Sequence, residues 1–223
     1  STEEELCAYL TGFQKDLAKR GKDLVGLSKI SIQTGTSHGG VVLPDGSIAQ
    51  VSVDFDTMLN LSRISRKKFG LGGAVQHGAS TLPENAFGKF VEAEACEIHL
   101  ATNFMNIFFD LIPADLKKEM YAYLDQNSAA DRKPDMTEEQ FYYKSRKSAV
   151  GPFKKQSWNL PAGEKAKIAA AWEEQFTKLF NLLNLKDTKV LVDQLINHPM
   201  VEVNAKDFLG EEVAAEDVKD LAD

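Results

Sequence analysis

Two short apolar runs in this chain each deliver a histidine into glycine, and they constrain its fold more than any other feature. Residues 72–81 read Gly-Gly-Ala-Val-Gln-His-Gly-Ala-Ser-Thr, so His77 leaves an extended run into Gly78 and Ser80. Upstream, Ser-Lys-Ile-Ser-Ile-Gln-Thr (28–34) runs into Gly35, Thr36, Ser37, His38, Gly39 and Gly40. A strand that ends in an imidazole and opens into small residues offers a metal ligand, bare backbone N–H groups and a hydroxyl within one turn. Such a turn suits a phosphate held beside a metal.

Helical patterns separate the strands. Residues 3–20 place Leu6, Leu10, Phe13 and Leu17 at helical spacing behind Thr2 and a run of glutamates. The first strand covers 28–34, and the stretch around Pro44-Asp45-Gly46 reads as a loop or short extended excursion. From Asp54 a helix runs through Met58, Leu59, Leu61 and Ile64 until Gly70, Gly72 and Gly73 stop it before a second strand at 74–76. Pro83 and Glu84 start a helix with Phe87, Phe90 and Val91 on one side, and a third strand follows at 95–101 with His99 inside it. Thr102 can cap a long helix with Phe104, Ile107, Phe108 and Leu111 inward, broken near Pro113 and continuing to about Leu124. After a polar loop at 125–136, Thr137 starts a helix with an aromatic face (141–143), and 162–185 carries a stripe from Ile168 through Trp172 to Leu183. A shorter helix at 187–198 and an acidic tail from Glu211 complete the chain.

This alternation predicts a parallel sheet covered by helices. Three parallel strands alone leave two unpaired edges, so the sheet is expected to be incomplete. Its other strands would lie in another polypeptide or in an earlier half of a larger protein.

With 43% apolar and 26% charged residues the chain has the composition of a soluble globular protein. Its most apolar stretch, 104–112, is interrupted by Asn106 and Asp110 and falls short of the roughly 20 residues a bilayer span needs. No signal-peptide pattern opens the chain. The net charge of −7 argues against nucleic-acid binding. The basic cluster Arg63, Arg66, Lys67 and Lys68 sits late in a predicted helix, where it suits the helix dipole. Cys7 and Cys96 read as small buried thiols in a reducing cytoplasm.

Strand C-termini in a parallel arrangement share one face, so His38 and His77 are expected to converge there. Neutral imidazoles brought together ligate zinc or a similar divalent ion, whereas a lone histidine beside a loop is ordinarily only hydrogen-bonded. Catalytic zinc takes three protein ligands, so at least one would come from outside this chain. Gly39, Gly78 and Ser80 suit an anion, toward which the helix near Pro83 would point its positive end, although the same glycines could serve only to turn the chain. Thr102 is similarly placed, and an N-cap role explains it equally well. Met105, Phe108, Phe109 and the aromatic run 141–143 read as core, and His198, before Pro199, as structural.

These residues resemble the class II metal-dependent ketose-bisphosphate aldolases. Ser37-His38-Gly39 looks like that family's first strand-end zinc histidine of the later half-barrel. Val75-Gln76-His77-Gly78-Ala79-Ser80 looks like its His-Gly-Gly/Ala-Ser motif, and Ile98-His99-Leu100-Ala101-Thr102 resembles its Asn-Val-Ala/Asp-Thr segment. The resemblance implies an α/β fold in which residues 1–185 form about the last three strands of a (β/α)8 TIM barrel plus C-terminal helices. Residues 186–223 would then be a helical extension with an acidic tail.

The implied activity is reversible cleavage of fructose 1,6-bisphosphate, or a tagatose-type sugar, to dihydroxyacetone phosphate and glyceraldehyde 3-phosphate. Zinc would polarise the ketone. By the same resemblance His38 and His77 are metal ligands, and Gly39, Gly78, Ser80 and Thr102 bind substrate phosphate. Ser37, Gly39 and Gly78 would hold a monovalent cation. His99 stands where the family has a catalytic asparagine, and Ala101 matches the tagatose-type motif. Arg146 is the candidate phosphate-binding arginine. Implied partners are the N-terminal half of the barrel and further copies in a homodimer or larger homo-oligomer. Two alternatives stand beside the enzyme: a noncatalytic aldolase-like subunit that stabilises or regulates a partner, and another metal-dependent lyase on the same barrel.

Overall fold

The first helix, α1 (Glu3–Arg20), starts where local chemistry closes a capping box: the Thr2 hydroxyl accepts from the Glu5 N–H, and the Glu5 carboxylate accepts from the Thr2 N–H. A computed structural model describes this and all the structure below for residues 1–21, 24–36, 43, 49, 52–197, 200 and 204. Leu6 and Leu10 of α1 are buried, while Phe13 and Leu17 are half-buried. After β1 (Ile30–Ile32), α2 (Phe55–Phe69) begins at Asp54, whose carboxylate accepts from the Thr57 N–H at 2.9 Å. It ends at Gly70, where a φ of 72° turns the chain in the left-handed region that glycine enters without strain.

β2 (Ala74–Gln76) follows, then a single 3-10 turn (Glu84–Ala86), α3 (Phe87–Glu92) and β3 (Glu97–Ile98). The strands pair in parallel in the order β1-β2-β3. Register aligns Ile32 with Gln76 and Gln76 with Ile98, so these share one face; Ser31, Val75 and Glu97 share the other. The first face is covered, with Ile32 and Ala74 packed against Leu6, Leu10, Met58 and Leu61 of α1 and α2. On the second, the central Val75 is buried, Glu97 is half-buried and Ser31 is exposed. Val91 of α3, expected to face inward, is 38% exposed, whereas Phe87 and Phe90 are buried.

Past β3 the chain is helical. Helices α4 (Thr102–Leu111) and α5 (Ala114–Asn127) flank the break at Pro113, and α6 (Glu138–Ser145) starts from a second capping box, Thr137 with Gln140. The short α7 (Lys147–Val150) and α8 (Lys154–Trp158) lead into the long α9 (Ala162–Leu182). Their interior is one apolar cluster that includes Phe109, Ile112, Met120, Leu124, Phe141 and Ile168. The segment expected to be loop at 125–136 is partly ordered: α5 runs to Asn127, a 3-10 turn covers Ala129–Asp131, and the Arg132 guanidinium lies 4.1 Å from the Phe141 ring centroid.

These findings correct the expected fold. The described residues are mostly helical with three short parallel strands, and they do not form part of a (β/α)8 barrel. A barrel needs long strands sending alternate apolar side chains to a common interior. Here the strands are two or three residues long, and the large apolar residues after β3 sit on helices that pack against one another. By contact the chain divides into two units, Ser1–Leu185 and Lys186–Asp223. In the second, α10 (Lys189–Leu195) carries a Lys189–Asp193 ion pair one turn apart.

The basic cluster also has an internal use. Arg63 and Arg66 each bridge the Glu94 carboxylate at 2.7 Å, and Arg66 donates as well to the carbonyls of Glu94 and Gly72. Hydrogen bonding from Arg63, with the two guanidinium charges, holds the Glu94 carboxyl below its usual range. A carboxyl depressed in the folded state stabilises the fold above its unfolded pKa near 4.5 and ceases to do so as pH falls through the folded value. Glu94→Gln should therefore lower the melting temperature at pH 7, with the difference closing as pH falls through the depressed folded-state value. Paired thermal melts check this, and a gap undiminished in acid would contradict it.

Candidate functional site

Strand register builds the site. His77 is the residue after β2, and the residue after Ile98 is His99, whose N–H donates to the Gln76 carbonyl at 2.8 Å and extends the ladder. The two imidazoles therefore lie side by side, ring centroids 4.1 Å apart and planes at 38°. His99 thus follows the third strand and is not inside it, because the strand expected at 95–101 is formed only by Glu97 and Ile98. His38, expected to meet His77, lies outside the described residues, as do Ser37, Gly39, Gly40 and His198.

A cavity of about 430 Å³ opens at this rim, lined by His77, Gly78, Ser80, His99 and Thr102 among others. Gly78 has a φ of 71°, a turn that a side chain would strain. The Ser80 hydroxyl accepts hydrogen bonds from the N–H groups of Ala101 at 2.8 Å and Thr102 at 3.2 Å. Ser80 therefore supplies the cap that α4 lacks locally: Ala101 is the N-cap residue, and Thr102 is the first residue of the helix. The helix near Pro83, expected to aim its positive end here, begins as a 3-10 turn and continues for six residues.

Two further features support the imidazoles, and both were missed in the sequence. Glu97 contacts the His99 ring through Nε2 with one carboxylate oxygen and Lys29 with the other. The signal was a spacing of two, which puts Glu97 and His99 on one face of a strand. Beneath the rim, Gln76 is fully buried. Its Oε1 accepts from the Thr34 hydroxyl at 2.7 Å, while its Nε2 donates to Thr36 Oγ1 and to the His77 carbonyl. Thr36 donates to the same carbonyl at 2.8 Å. A glutamine inside an apolar strand, with threonines at alternate positions after β1, was the visible sign of this network.

Arg146 lies elsewhere. It is buried among the helices, with its guanidinium carbon 4.2 Å from the Tyr143 ring centroid and 5.3 Å from that of Phe109. It donates to Asn106 Oδ1, and its Nε has no hydrogen-bond partner. Burial pushes its pKa down. The cysteines depart from expectation too: both are free thiols, Cys7 half-buried and Cys96 exposed.

Paired imidazoles are the donor type that zinc prefers. Among the described residues, however, no group of three or more His, Cys, Asp or Glu is arranged to hold a metal ion. The described residues alone therefore do not complete a zinc site. No helix among them is long and apolar enough to cross a membrane. No family model matches the chain, and no curated protein matches its sequence.

Proposed function

We propose that this chain carries the imidazole and phosphate-binding rim of a cytoplasmic, metal-dependent ketose-bisphosphate aldolase. The reaction is reversible cleavage of fructose 1,6-bisphosphate or a tagatose-type bisphosphate to dihydroxyacetone phosphate and glyceraldehyde 3-phosphate. What supports the reading is the gathering of His77, Gly78, Ser80, His99 and Thr102 around one cavity large enough for a three-carbon phosphate. Zinc, when bound, supplies Lewis-acid polarisation of the ketone. His77 and His38 would be its ligands from this chain, with the remainder from a second polypeptide or a further segment that also covers the sheet edges. The Gly78 turn and the Thr102 hydroxyl would hold the phosphate. His99, with Nε2 engaged by Glu97, has Nδ1 to offer the substrate where the family uses an asparagine.

One observation favours the second reading, a noncatalytic subunit that stabilises or regulates a partner aldolase. The Ser80 hydroxyl and the two N–H groups that could grip a phosphate already bond to one another.

Zinc content and retro-aldol cleavage of both bisphosphates, measured on the chain alone and in its full assembly, separate the readings. His77→Ala should weaken zinc binding more than about a hundredfold, beyond the usual effect of losing an outer-shell partner, while leaving the circular dichroism spectrum intact. Zinc affinity unchanged in that variant would overturn the ligand assignment. Zinc bound with neither sugar cleaved by the assembly would favour the noncatalytic subunit. His99→Asn should change activity or sugar preference; identical kinetics would show that the imidazole is incidental.

A further inference from the structure

Helices α4, α8 and α9 leave between them a second cavity, of about 560 Å³, that shares only Ala101 with the imidazole site. Phe104, Met105 and Phe108 of α4 form one wall, Trp158 of α8 the rim, and Ile168 and Trp172 of α9 the opposite wall. Volume and lining both fall in the range of small-molecule sites. The chain has two tryptophans, and both line this cavity. Trp172 is fixed by its indole N–H, which donates to the Phe104 carbonyl at 3.1 Å. Trp158 is 68% exposed, although it is among the largest apolar surfaces the chain has to bury.

The charge at the rim has one sign. Lys154 Nζ lies 4.5 Å from the Trp158 ring centroid, and Lys165 Nζ donates to the Trp158 carbonyl at 3.5 Å. Among the described residues no carboxylate lines the cavity, although the chain as a whole carries −7. Ser157 also lines it, and its hydroxyl oxygen is buried without a hydrogen-bond partner. An apolar groove with two ammonium groups at its rim is complementary to a molecule that is apolar along its body and negative at one end.

We propose that this cavity binds an anionic amphiphile, a carboxylate with an aliphatic or aromatic body. The body lies between Phe104, Phe108 and Trp172, and the carboxylate meets Lys154 and Lys165 beside Trp158. This site is independent of the aldolase reading, and its test uses no enzymatic activity.

Tryptophan fluorescence of the full chain reports occupancy directly. Titration with decanoate, below its micellar concentration, and with 4-phenylbutyrate distinguishes the two kinds of body; a saturable change with either supports the site. Decanol, which lacks the charge, should bind roughly tenfold more weakly than decanoate. K154Q/K165Q, altering two exposed side chains, should reduce decanoate to the affinity of decanol. A169F places a large side chain at an exposed position on the lining and should abolish the response in a protein whose thermal melt is unchanged. No saturable response to either carboxylate, equal binding of decanol and decanoate, or full binding by folded A169F would each overturn the proposal. A concentration-dependent dimer that A169F disrupts would assign the cavity to a second copy instead, and would also overturn it.

Discussion

Gln76→Leu should destabilise the larger unit by about 2–4 kcal/mol, because it removes both halves of a buried amide without removing the groups that amide serves. The buried Thr34 hydroxyl loses its acceptor, and the His77 carbonyl and Thr36 Oγ1 lose a donor. Leucine matches the volume closely, so the loss reports polar pairing and not a cavity. Urea denaturation with linear extrapolation measures it, and a change under about 0.5 kcal/mol would show that the network contributes little. The consequence for the site is local: the amide and Thr36 together pin the His77 carbonyl at the end of β2. The ring resonances of His77 should therefore move in the variant at fixed pH, while those of residues on α5 stay in place.

Phe109→Ala should cost about 3–5 kcal/mol, the usual toll of emptying a buried phenyl site. Phe109 is 1% exposed and sits at the centre of the helical cluster, edge-on to Phe108 and stacked with Tyr121. It also forms one of the two aromatic faces against the Arg146 guanidinium, a buried cation that donates to the neutral Asn106 Oδ1. Removing the ring opens a void next to that charge, so the penalty should shrink in an Arg146→Met background, where the neighbour is apolar. A double-mutant cycle measures the difference; strict additivity would show that the ring and the guanidinium are energetically separate.

The legible parts of the fold are those whose causes lie within a few residues. Thr2 and Glu5, Asp54 and Gly70, and Thr137 and Gln140 mark helix ends because a cap needs only its own first or last turn. β2 at Ala74–Gln76 stands where its apolar run is bounded by glycines and a turn. The histidine-glycine turn was legible for the same reason, since Gly78 adopts a backbone conformation that its residue type favours.

The remainder depended on packing between distant segments. The hydroxyl that caps α4 comes from Ser80, 21 residues before Ala101, and nothing in the local pattern of either segment announces the other. The bond from Glu97 to His99 was readable as spacing, but the neighbouring imidazole and Lys29 were not, because they arrive through register with β2 and β1. Arg146, the candidate phosphate-binding arginine, is buried among the helices, since tertiary packing placed Tyr143 and Phe109 around it. The same cause separates the expected barrel from the fold that forms. Alternating helix and strand patterns prescribe a parallel sheet and its order of segments, whereas strand length and the destination of the large apolar residues follow from which surfaces pack best. In this protein the sequence by itself determined where segments start, stop and turn; the tertiary structure decided what they enclose, because burial is a property of surfaces brought together and not of any one run of residues.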